Sequence, residues 1–148
     1  MKVVIQRSKK SNVKVNHEVV GSIEKGLVVL VGFHVEDIEE DINYIVKKLI
    51  NLRIFNDENG TMNLSIKDIK GEILSISQFT LYADTKKGNR PGYSNSMKSD
   101  FAKEFYEKFN EKLLMENINV STGVFGADMD VSISNDGPVT IVIDSKEK

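Results

Sequence analysis

Apolar residues along the chain follow patterns that predict mostly β-strands. Residues 26–33 are continuously apolar and rich in β-branched side chains, which predicts a strand buried on both faces. Residues 72–77 mix apolar positions with serines in alternation, which is typical of a strand with one buried face. Shorter apolar runs predict further strands at residues 2–7, 13–15, 18–23, 53–55, 62–64, 120–124, 129–134 and 139–144.

Two other segments carry apolar residues at helical spacing. The first stripe consists of Ile38, Ile42, Ile45, Val46, Leu49 and Leu52. The second stripe consists of Phe101, Ala102, Phe105, Phe109 and Leu113. We predict that Asp37 caps the first helix and that Ser96 or Ser99 caps the second. Both stripes are interpreted as core faces and not as cofactor sites, because their spacing is helical throughout.

The order of these elements predicts one α+β domain that covers residues 1–148. Its sheet is mainly antiparallel and curled toward a barrel, with the two helices packed on it. Asn59-Gly60 is a strong hairpin signal between two of the short strands. No internal repeat, linker or low-complexity run divides the chain.

Composition excludes several kinds of site. The 148 residues include no cysteine, which excludes disulfides, thiol nucleophiles, zinc ribbons and iron–sulfur clusters. Only two histidines are present, His17 and His34, which excludes a histidine-rich metal site. We therefore predict no metal and no cofactor. No apolar run approaches the about 20 residues needed to cross a bilayer, so we expect a cytoplasmic protein without a membrane partner.

Charge limits the kind of nucleic-acid contact that the chain can make. The net charge is −2, whereas proteins that grip a long phosphate track are usually basic. An RNA partner would therefore be held locally, at an end or a loop. One loop, residues 85–94, does contain three cations, Lys86, Lys87 and Arg90. It is either a mobile, solvated loop or a flexible basic finger that contacts phosphates.

Polar side chains are concentrated in two unusual stretches. Ser77, Gln78 and Thr80 place three hydrogen-bonding side chains within four positions, and are either the solvent face of a strand or part of a site. Residues 135–140 (Asn-Asp-Gly-Pro-Val-Thr) would ordinarily form a hairpin turn. Near the N-terminus, Arg7 is interpreted as a solvated strand end in preference to a buried side chain that braces a neighbouring loop.

With these two stretches in hand, the chain closely resembles the D-aminoacyl-tRNA deacylases, the D-tyrosyl-tRNA deacylase family. Residues 77–81 (Ser-Gln-Phe-Thr-Leu) and 135–140 match the family's two signature motifs, in the right order and near the expected separation. The likeness extends along the chain through residues 6–7, 26–27, 51–55, 62–65, 82–85 and 126–129. Departures at Ser8, Ser11, residues 33–34 and residues 92–96 lie outside the motifs.

The resemblance implies an editing hydrolase that works as a homodimer, with its active sites at the subunit interface. Such an enzyme cleaves the ester that joins a D-amino acid to the terminal adenosine of tRNA, and also acts on glycine mischarged on tRNA. Gly137-Pro138 would be a cis peptide that enters the partner's site. Its carbonyls would hold the substrate's ammonium, so that an L side chain strikes the Gly-Pro backbone and a D side chain points outward.

The family's catalytic roles would fall on the first motif. Neither motif contains a base of suitable pKa, so we expect backbone N–H groups around Phe79 and Thr80 to stabilise the oxyanion. The terminal ribose 2′-hydroxyl would orient the water or relay its proton. Thr80 as a covalent nucleophile is the alternative, although no visible base activates it. Ser77 and Gln78 are expected to hold the ribose and the ester in place.

Binding roles are also implied by the resemblance. Phe125 and Met129 are candidates for packing against the terminal adenine, with simple core packing as the alternative. Arg7 would fix the orientation of the partner's Gly-Pro loop. The acceptor-stem phosphates would be contacted by Lys86, Lys87 and Arg90.

Two rival functions have different consequences. A non-catalytic nucleic-acid-binding module of the same fold would bind many nucleic acids in a salt-dependent way, without ester turnover. A small-molecule amidase or esterase would cleave free D-amino-acid esters without tRNA.

Overall fold

The computed structural model describes residues 1–148 and contains ten strands, two α-helices and one 3₁₀ helix. The strands are β1 (Lys2–Ser8), β2 (Ser11–Val15), β3 (Glu18–Ile23), β4 (Gly26–Gly32), β5 (Phe55–Asn56), β6 (Met62–Leu64), β7 (Glu72–Ser77), β8 (Asn119–Thr122), β9 (Asp130–Ser132) and β10 (Asn135–Asp144). The α-helices are α1 (Glu39–Asn51) and α2 (Ser99–Met115), and the 3₁₀ helix is Phe79–Tyr82.

The strands form three sheets. The largest has the order β10-β1-β4-β7-β8, the second has the order β3-β2-β9, and β5 pairs with β6 alone. All pairs are antiparallel except β4 with β7 and β7 with β8, which are parallel. The predicted α+β class with two helices on a mainly antiparallel sheet is therefore confirmed. The sheets remain separate and do not close into a barrel.

The five-stranded sheet has a hydrophobic core on each face. Leu27, Val29 and Val31 of β4 belong to the larger core, which also contains the buried faces of α1 and α2. Val28 of the same strand belongs to a smaller core that it shares with Val13 of the three-stranded sheet. The prediction that this strand is buried on both faces is confirmed, because successive side chains of a strand point to opposite faces.

The start of α1 differs from the prediction. Asp37 is not the N-cap, because the helix begins at Glu39 after Ile38. Instead Asp37 is buried, where it accepts hydrogen bonds from the Met1 ammonium at 2.5 Å and the His34 N–H at 2.7 Å. Asp41 takes over part of the capping role, since its carboxylate accepts the Ile38 N–H at 2.9 Å. Asp37 therefore binds the Met1 ammonium, which is distant in sequence, and does not cap the helix.

The helical stripe of α2 is also revised at one position. Phe101 is 58% exposed, and neither Ser96 nor Ser99 supplies a side-chain cap before the helix starts at Ser99. Tyr106 is buried, and its hydroxyl donates to the Ser75 carbonyl at 2.7 Å. Neither α-helix is long and apolar enough to span a membrane. The cytoplasmic location stays a prediction.

Candidate active site

The first motif lies where β7 turns into the 3₁₀ helix. β7 ends at Ser77, Gln78 has φ −148° and ψ 83°, and Phe79 and Thr80 begin the helix. The Gln78 N–H donates to the Val31 carbonyl at 2.7 Å, which fixes the turn at the end of β4. The interpretation of these polar residues as the solvent face of one continuous strand is wrong, since only Ser77 belongs to β7.

Two further contacts fix the backbone of this turn. Gly32 lies so close to it that an added Cβ would be 2.9 Å from the Gln78 carbonyl oxygen. The Ser96 hydroxyl donates to the Phe79 carbonyl at 3.0 Å. A side chain at position 32 would therefore displace the turn. The loop before α2 stabilises the same turn through the Ser96 hydroxyl.

The turn leaves two adjacent backbone donors free. The first N–H groups of a helix have no partner within that helix, and those of Phe79 and Thr80 donate to no acceptor elsewhere in the chain. The next donor along, the Leu81 N–H, is already bonded to the Gln78 carbonyl at 3.3 Å. Free backbone donors at one point of the surface can bind an oxyanion.

A cleft of about 940 Å³ opens beside these donors. It lies between the end of β7, the start of α2 and residues 125–131, and eleven of its eighteen lining residues are hydrophobic. Ser77, Gln78, Phe79, Phe125 and Met129 all line it, so the structure brings five of the predicted site residues together. A mostly apolar cleft with a few polar groups is the usual form of a small-ligand site.

Thr80 contributes its backbone and not its side chain to this region. Its residue is exposed and is not part of the cleft lining. Its hydroxyl contacts the amide nitrogen of Gln78. The lining holds no histidine and a single carboxylate, that of Asp128. The Thr80 hydroxyl itself makes no hydrogen bond to a carboxylate, histidine or lysine side chain.

Phe125 and Met129 combine core packing with a place in the cleft lining, and their contact with the adenine stays a prediction. Phe125 packs against the larger core, with its ring 5.8 Å from that of Tyr106. Met129 packs against the smaller core and passes over Gly123, where an added Cβ would lie 2.3 Å from its sulfur. Both are half-buried and line the cleft. Burial also raises the pKa of the Tyr106 hydroxyl, which keeps this donor protonated beneath Phe125.

The second motif forms a bulge and not a hairpin turn. Gln6 pairs with Thr140 and Ser8 with Asn135, so four residues of β10 lie opposite the single residue Arg7 of β1. Gly137 and Pro138, in this bulge, are exposed and joined by a cis peptide bond. The bulge therefore presents main chain to the surface at one edge of the large sheet.

Arg7 is buried and bonds to the bulge through Asp136. It is only 8% exposed, so the interpretation as a solvated strand end is wrong. Its guanidinium donates to the Ile54 carbonyl at 2.8 Å and to the Asp136 carbonyl at 3.3 Å, and it pairs with the Asp136 carboxylate at 3.3 Å. The Asn135 side chain donates to the carbonyls of Arg7 and Val139, each at 3.0 Å. These contacts join Arg7 to the bulge of its own chain.

The two motifs of one chain lie far apart. Ser77 pairs with Val31 and Val31 with Val3, whereas the bulge lies opposite Arg7, four residues further along β1. The bulge is also three strands away from β7. The usual rise and spacing of strands place the two motifs roughly 20 Å apart. The cleft therefore does not contain Gly137, Pro138 or Arg7.

The basic loop extends beyond the cleft. A bridge between Asp84 and Gly92 closes it at its base, and Lys86, Lys87 and Arg90 are all exposed. None of these three cations lines the cleft. No group of three or more His, Cys, Asp or Glu side chains is placed to hold a metal ion.

Comparison with known proteins identifies the family. The family model described as D-Tyr-tRNA(Tyr) deacylase matches residues 4–144 of the sequence. The chain belongs to this family. A solved structure described as "c-Myc DNA Unwinding Element Binding Protein" has a TM-score of 0.92 and 40% sequence identity, covering 97% of this chain and 98% of that chain. A "probable eukaryotic D-amino acid tRNA deacylase" shares the fold, with a TM-score of 0.82, 18% identity and coverage of 96% and 97%.

Membership of the D-Tyr-tRNA deacylase family confirms the predicted class of enzyme, a hydrolase, and implies an aminoacyl-tRNA substrate. Sequence reasoning nevertheless missed Gly32, which packs against the turn, and three residues of the cleft lining, Tyr93, Ser96 and Lys98. Gly32 could have been noticed as a glycine at the end of an otherwise β-branched strand. The others act through contacts between distant segments, for which no local signal exists.

Proposed function

We propose that this protein is a homodimer that hydrolyses the ester of D-aminoacyl-tRNA and of glycine mischarged on tRNA, and that it rejects L-amino acids. The observation that carries the proposal is the pair of free N–H groups at Phe79 and Thr80, beside a cleft of about 940 Å³. In this proposal the cleft takes the terminal adenosine, and its apolar walls at Phe125 and Met129 pack against the adenine. Ser77 and Gln78 hold the ribose and the ester.

Hydrolysis follows from positioning and electrostatics. The N–H groups of Phe79 and Thr80 stabilise the charge that develops on the ester carbonyl oxygen, and one such donor contributes about 3–4 kcal/mol. The ribose 2′-hydroxyl of the substrate orients the attacking water. An aminoacyl ester is already reactive, so a water held at the right place is sufficient. The exposed Thr80 hydroxyl, which has only the Gln78 amide beside it, is not required as a nucleophile.

In this proposal, the backbone of Gly137 and Pro138 distinguishes D-amino acids from L-amino acids. We assign the substrate's ammonium to the carbonyls of Gly137 and Pro138, with the α-carbon held beside the Gly-Pro backbone. An L side chain then collides with this backbone, a D side chain points away, and glycine has nothing to collide. The rigidity that such a filter needs is supported by Arg7 and Asn135, which bond the bulge on both sides.

A second subunit is needed to complete this site. The bulge and the cleft of one chain lie roughly 20 Å apart across the large sheet, whereas the ammonium and the carbonyl of one amino acid are separated by a single carbon. The Gly-Pro bulge that reads a substrate must therefore come from another copy of the chain. A two-fold symmetric dimer supplies two such composite sites.

One assay tests the proposed activity. D-tyrosyl-, L-tyrosyl- and glycyl-tRNA are incubated with the protein, and a D-tyrosyl-tRNA with a 2′-deoxy terminal adenosine serves as control. We expect turnover of the D-tyrosyl and glycyl esters, little turnover of the L-tyrosyl ester, and strong loss on the 2′-deoxy substrate. Equal rates on the D and L esters would exclude rejection by collision, and full activity on the control would remove the ribose from the mechanism.

A second candidate function is nucleic-acid binding without catalysis. It is favoured by the relative at 40% identity that is described as a DNA-unwinding-element-binding protein. Against it stands the net charge of −2, since extended binding to phosphates is usually made by basic proteins. This function predicts salt-dependent binding to DNA duplexes with no ester turnover. A DNA-binding titration at two salt concentrations, run beside the deacylation assay, distinguishes the two candidates.

A further inference from the structure

Two exposed aromatic rings contact each other at the mouth of the cleft. Phe79 is 57% exposed and Tyr93 is 39% exposed, and their ring centroids are 4.9 Å apart in an edge-on arrangement. Both residues line the cleft, whose lining also includes the deeply buried Val31, Phe33 and Ile76. Large aromatic side chains that remain exposed at a site entrance are available to a ligand.

The segment of the chain that carries Tyr93 is rich in positive charge. Residues 85–99 contain four cations and no acidic residue, although the chain as a whole has a net charge of −2. The cations are Lys86, Lys87, Arg90 and Lys98, all of them exposed. Tyr93 directly follows the bridge that closes the basic loop, and Lys98 lines the same cleft as the two rings.

Exposed aromatic rings beside a cationic segment are how proteins bind single-stranded nucleic acid. Each base stacks on a ring while lysine and arginine side chains contact the backbone phosphates, and such stacking tolerates any base. Unpaired RNA ends are recognised in this way more often than duplexes. The arrangement here is too small for a long strand but large enough for one base outside the cleft.

We propose that Phe79 and Tyr93 form a stacking platform for the penultimate base at the unpaired 3′ end of tRNA. The inference rests on the proposed function, in which the terminal adenosine occupies the cleft, because the next nucleotide then leaves through the cleft mouth. Its phosphate passes the exposed Lys98, and the strand continues toward Lys86, Lys87 and Arg90 of the basic loop. Tyr93 is a positioning residue in this scheme, since it touches the RNA but not the reacting ester.

A second copy of this chain is a less suitable occupant of the same surface. In a two-fold contact centred on the platform, the same four cations of each copy would be brought face to face. Like charges placed opposite each other disfavour association. An RNA strand, by contrast, is complementary in charge as well as in its flat apolar bases.

The test uses an RNA hairpin that mimics the acceptor arm and ends in an unpaired C-C-A. A second hairpin is identical but lacks the base of the penultimate nucleotide. Fluorescence anisotropy measures the binding of both to the wild-type protein and to Tyr93→Ala, Tyr93→Phe and Phe101→Ala. Phe101 is the matched control, because it is also an exposed aromatic residue but does not line the cleft.

We expect removal of the base to weaken wild-type binding about tenfold, as one stacked base does. The same removal should have no effect on Tyr93→Ala, whereas Tyr93→Phe and Phe101→Ala should behave like the wild type. The platform is refuted if Tyr93→Ala is as sensitive to the missing base as the wild type. It is also refuted if Tyr93→Ala converts the protein to monomers, as size-exclusion chromatography with light scattering would reveal.

Deacylation assays keep this inference separate from the proposed function. With D-tyrosyl esters of adenosine, of cytidylyl-adenosine and of tRNA, Tyr93→Ala should raise KM about tenfold more for the last two than for the adenosine ester. Any change in kcat should be the same for all three esters. Base-dependent binding without any ester turnover would reject the proposed function alone. Turnover without the Tyr93 dependence would reject the platform alone.

Discussion

At the scale of single residues, substitution of Thr80 distinguishes oxyanion stabilisation by backbone N–H groups from nucleophilic attack by the Thr80 hydroxyl. Its side chain lies outside the cleft and contacts only the Gln78 amide, while its N–H is free. We expect Thr80→Ala to lower kcat by at most about tenfold, since a single side-chain hydrogen bond contributes about 1 kcal/mol. Single-turnover deacylation of D-tyrosyl-tRNA measures this. Complete loss of turnover with intact substrate binding would instead identify Thr80 as a nucleophile.

The backbone donor at Phe79 can be removed without removing the helix. Proline has no N–H and is tolerated in the first turn of a helix, where Phe79 lies. Phe79→Pro should therefore lower kcat by about 10²–10³-fold relative to Phe79→Ala, which loses the same ring but keeps the donor. Equal kcat values for the two variants, with thermal unfolding curves that match, would exclude this N–H from the oxyanion site.

At the scale of elements, the start of α1 is joined to both ends of the chain by buried charge. Burial alone would raise the pKa of Asp41, but the Ile38 N–H, Ser145 and the Lys146 ammonium bond its carboxylate and lower the pKa to about 2, from an ordinary value of 3.8. Lys146 lies 3.1 Å from Asp41 and 3.4 Å from Asp37. The folded protein therefore binds the Asp41 proton more weakly than the unfolded chain.

This shift predicts the direction of a pH effect on stability. A lowered carboxyl pKa stabilises the fold above about pH 4, and that contribution is lost as the pH falls toward 2. Asp41→Asn should lower the free energy of unfolding by about 2 kcal/mol at pH 7 and by much less at pH 2. Urea unfolding at both pH values measures the difference. Glu40→Gln, a neighbouring exposed residue, is the control and should show no such pH dependence.

Elements with a local signal were predictable from the sequence, and those set by distant contacts were not. The continuous apolar run of β4 corresponds to buried faces in the structure, and so do Ile42, Ile45, Val46 and Leu49 of the α1 stripe. Ile38, predicted in the same stripe, lies before the helix and is exposed. The 3₁₀ helix after Ser77 was missed, because alternation of polar and apolar residues continues through it. What ends the strand is the bond from Gln78 to Val31 and the close approach of Gly32, and neither leaves a pattern in the residues of β7.

The candidate site was predictable to the same extent. Family resemblance located both motifs and the aromatic wall of the cleft, and Ser77, Gln78, Phe79, Phe125 and Met129 do line one cleft. The burial of Arg7 could not be foreseen, because its acceptors on Ile54 and Asp136 come from segments far apart in sequence. Residues 135–138 have the composition of a hairpin turn, but they form a bulge within β10.

At the scale of the whole molecule, the distance between the motifs makes the oligomer testable by mixing. Phe79→Pro damages the cleft, and Gly137→Ala damages the bulge, because its φ of +113° disfavours a side chain and an added Cβ would be 2.9 Å from the Arg7 guanidinium. Refolded together in equal amounts, half of the dimers are mixed and contain one intact site of two. We expect about a quarter of wild-type activity from a mixture of two inactive proteins.

The reciprocal mixture is the control. In this control, wild-type chains are refolded with an equal amount of the Phe79→Pro/Gly137→Ala double variant. The mixture should also give about a quarter of wild-type activity, because every site in a mixed dimer then carries one defect. If each chain held a complete site, this second mixture would retain about half, and the first would regain nothing. Sedimentation velocity on the same samples tests whether both mixtures contain the proposed dimer.

The free donors at positions 79 and 80 belong to the peptide bond, which has a consequence for evolution. Nineteen of the twenty standard amino acids carry that N–H, so the proposed oxyanion stabilisation at these two positions tolerates almost any substitution that preserves the turn. Under the proposed mechanism, a substitution at position 79 or 80 alone is thus a poor guide to whether a descendant has lost its activity. The glycine that lets β4 approach the turn, a residue with no side chain at all, is the better marker to follow.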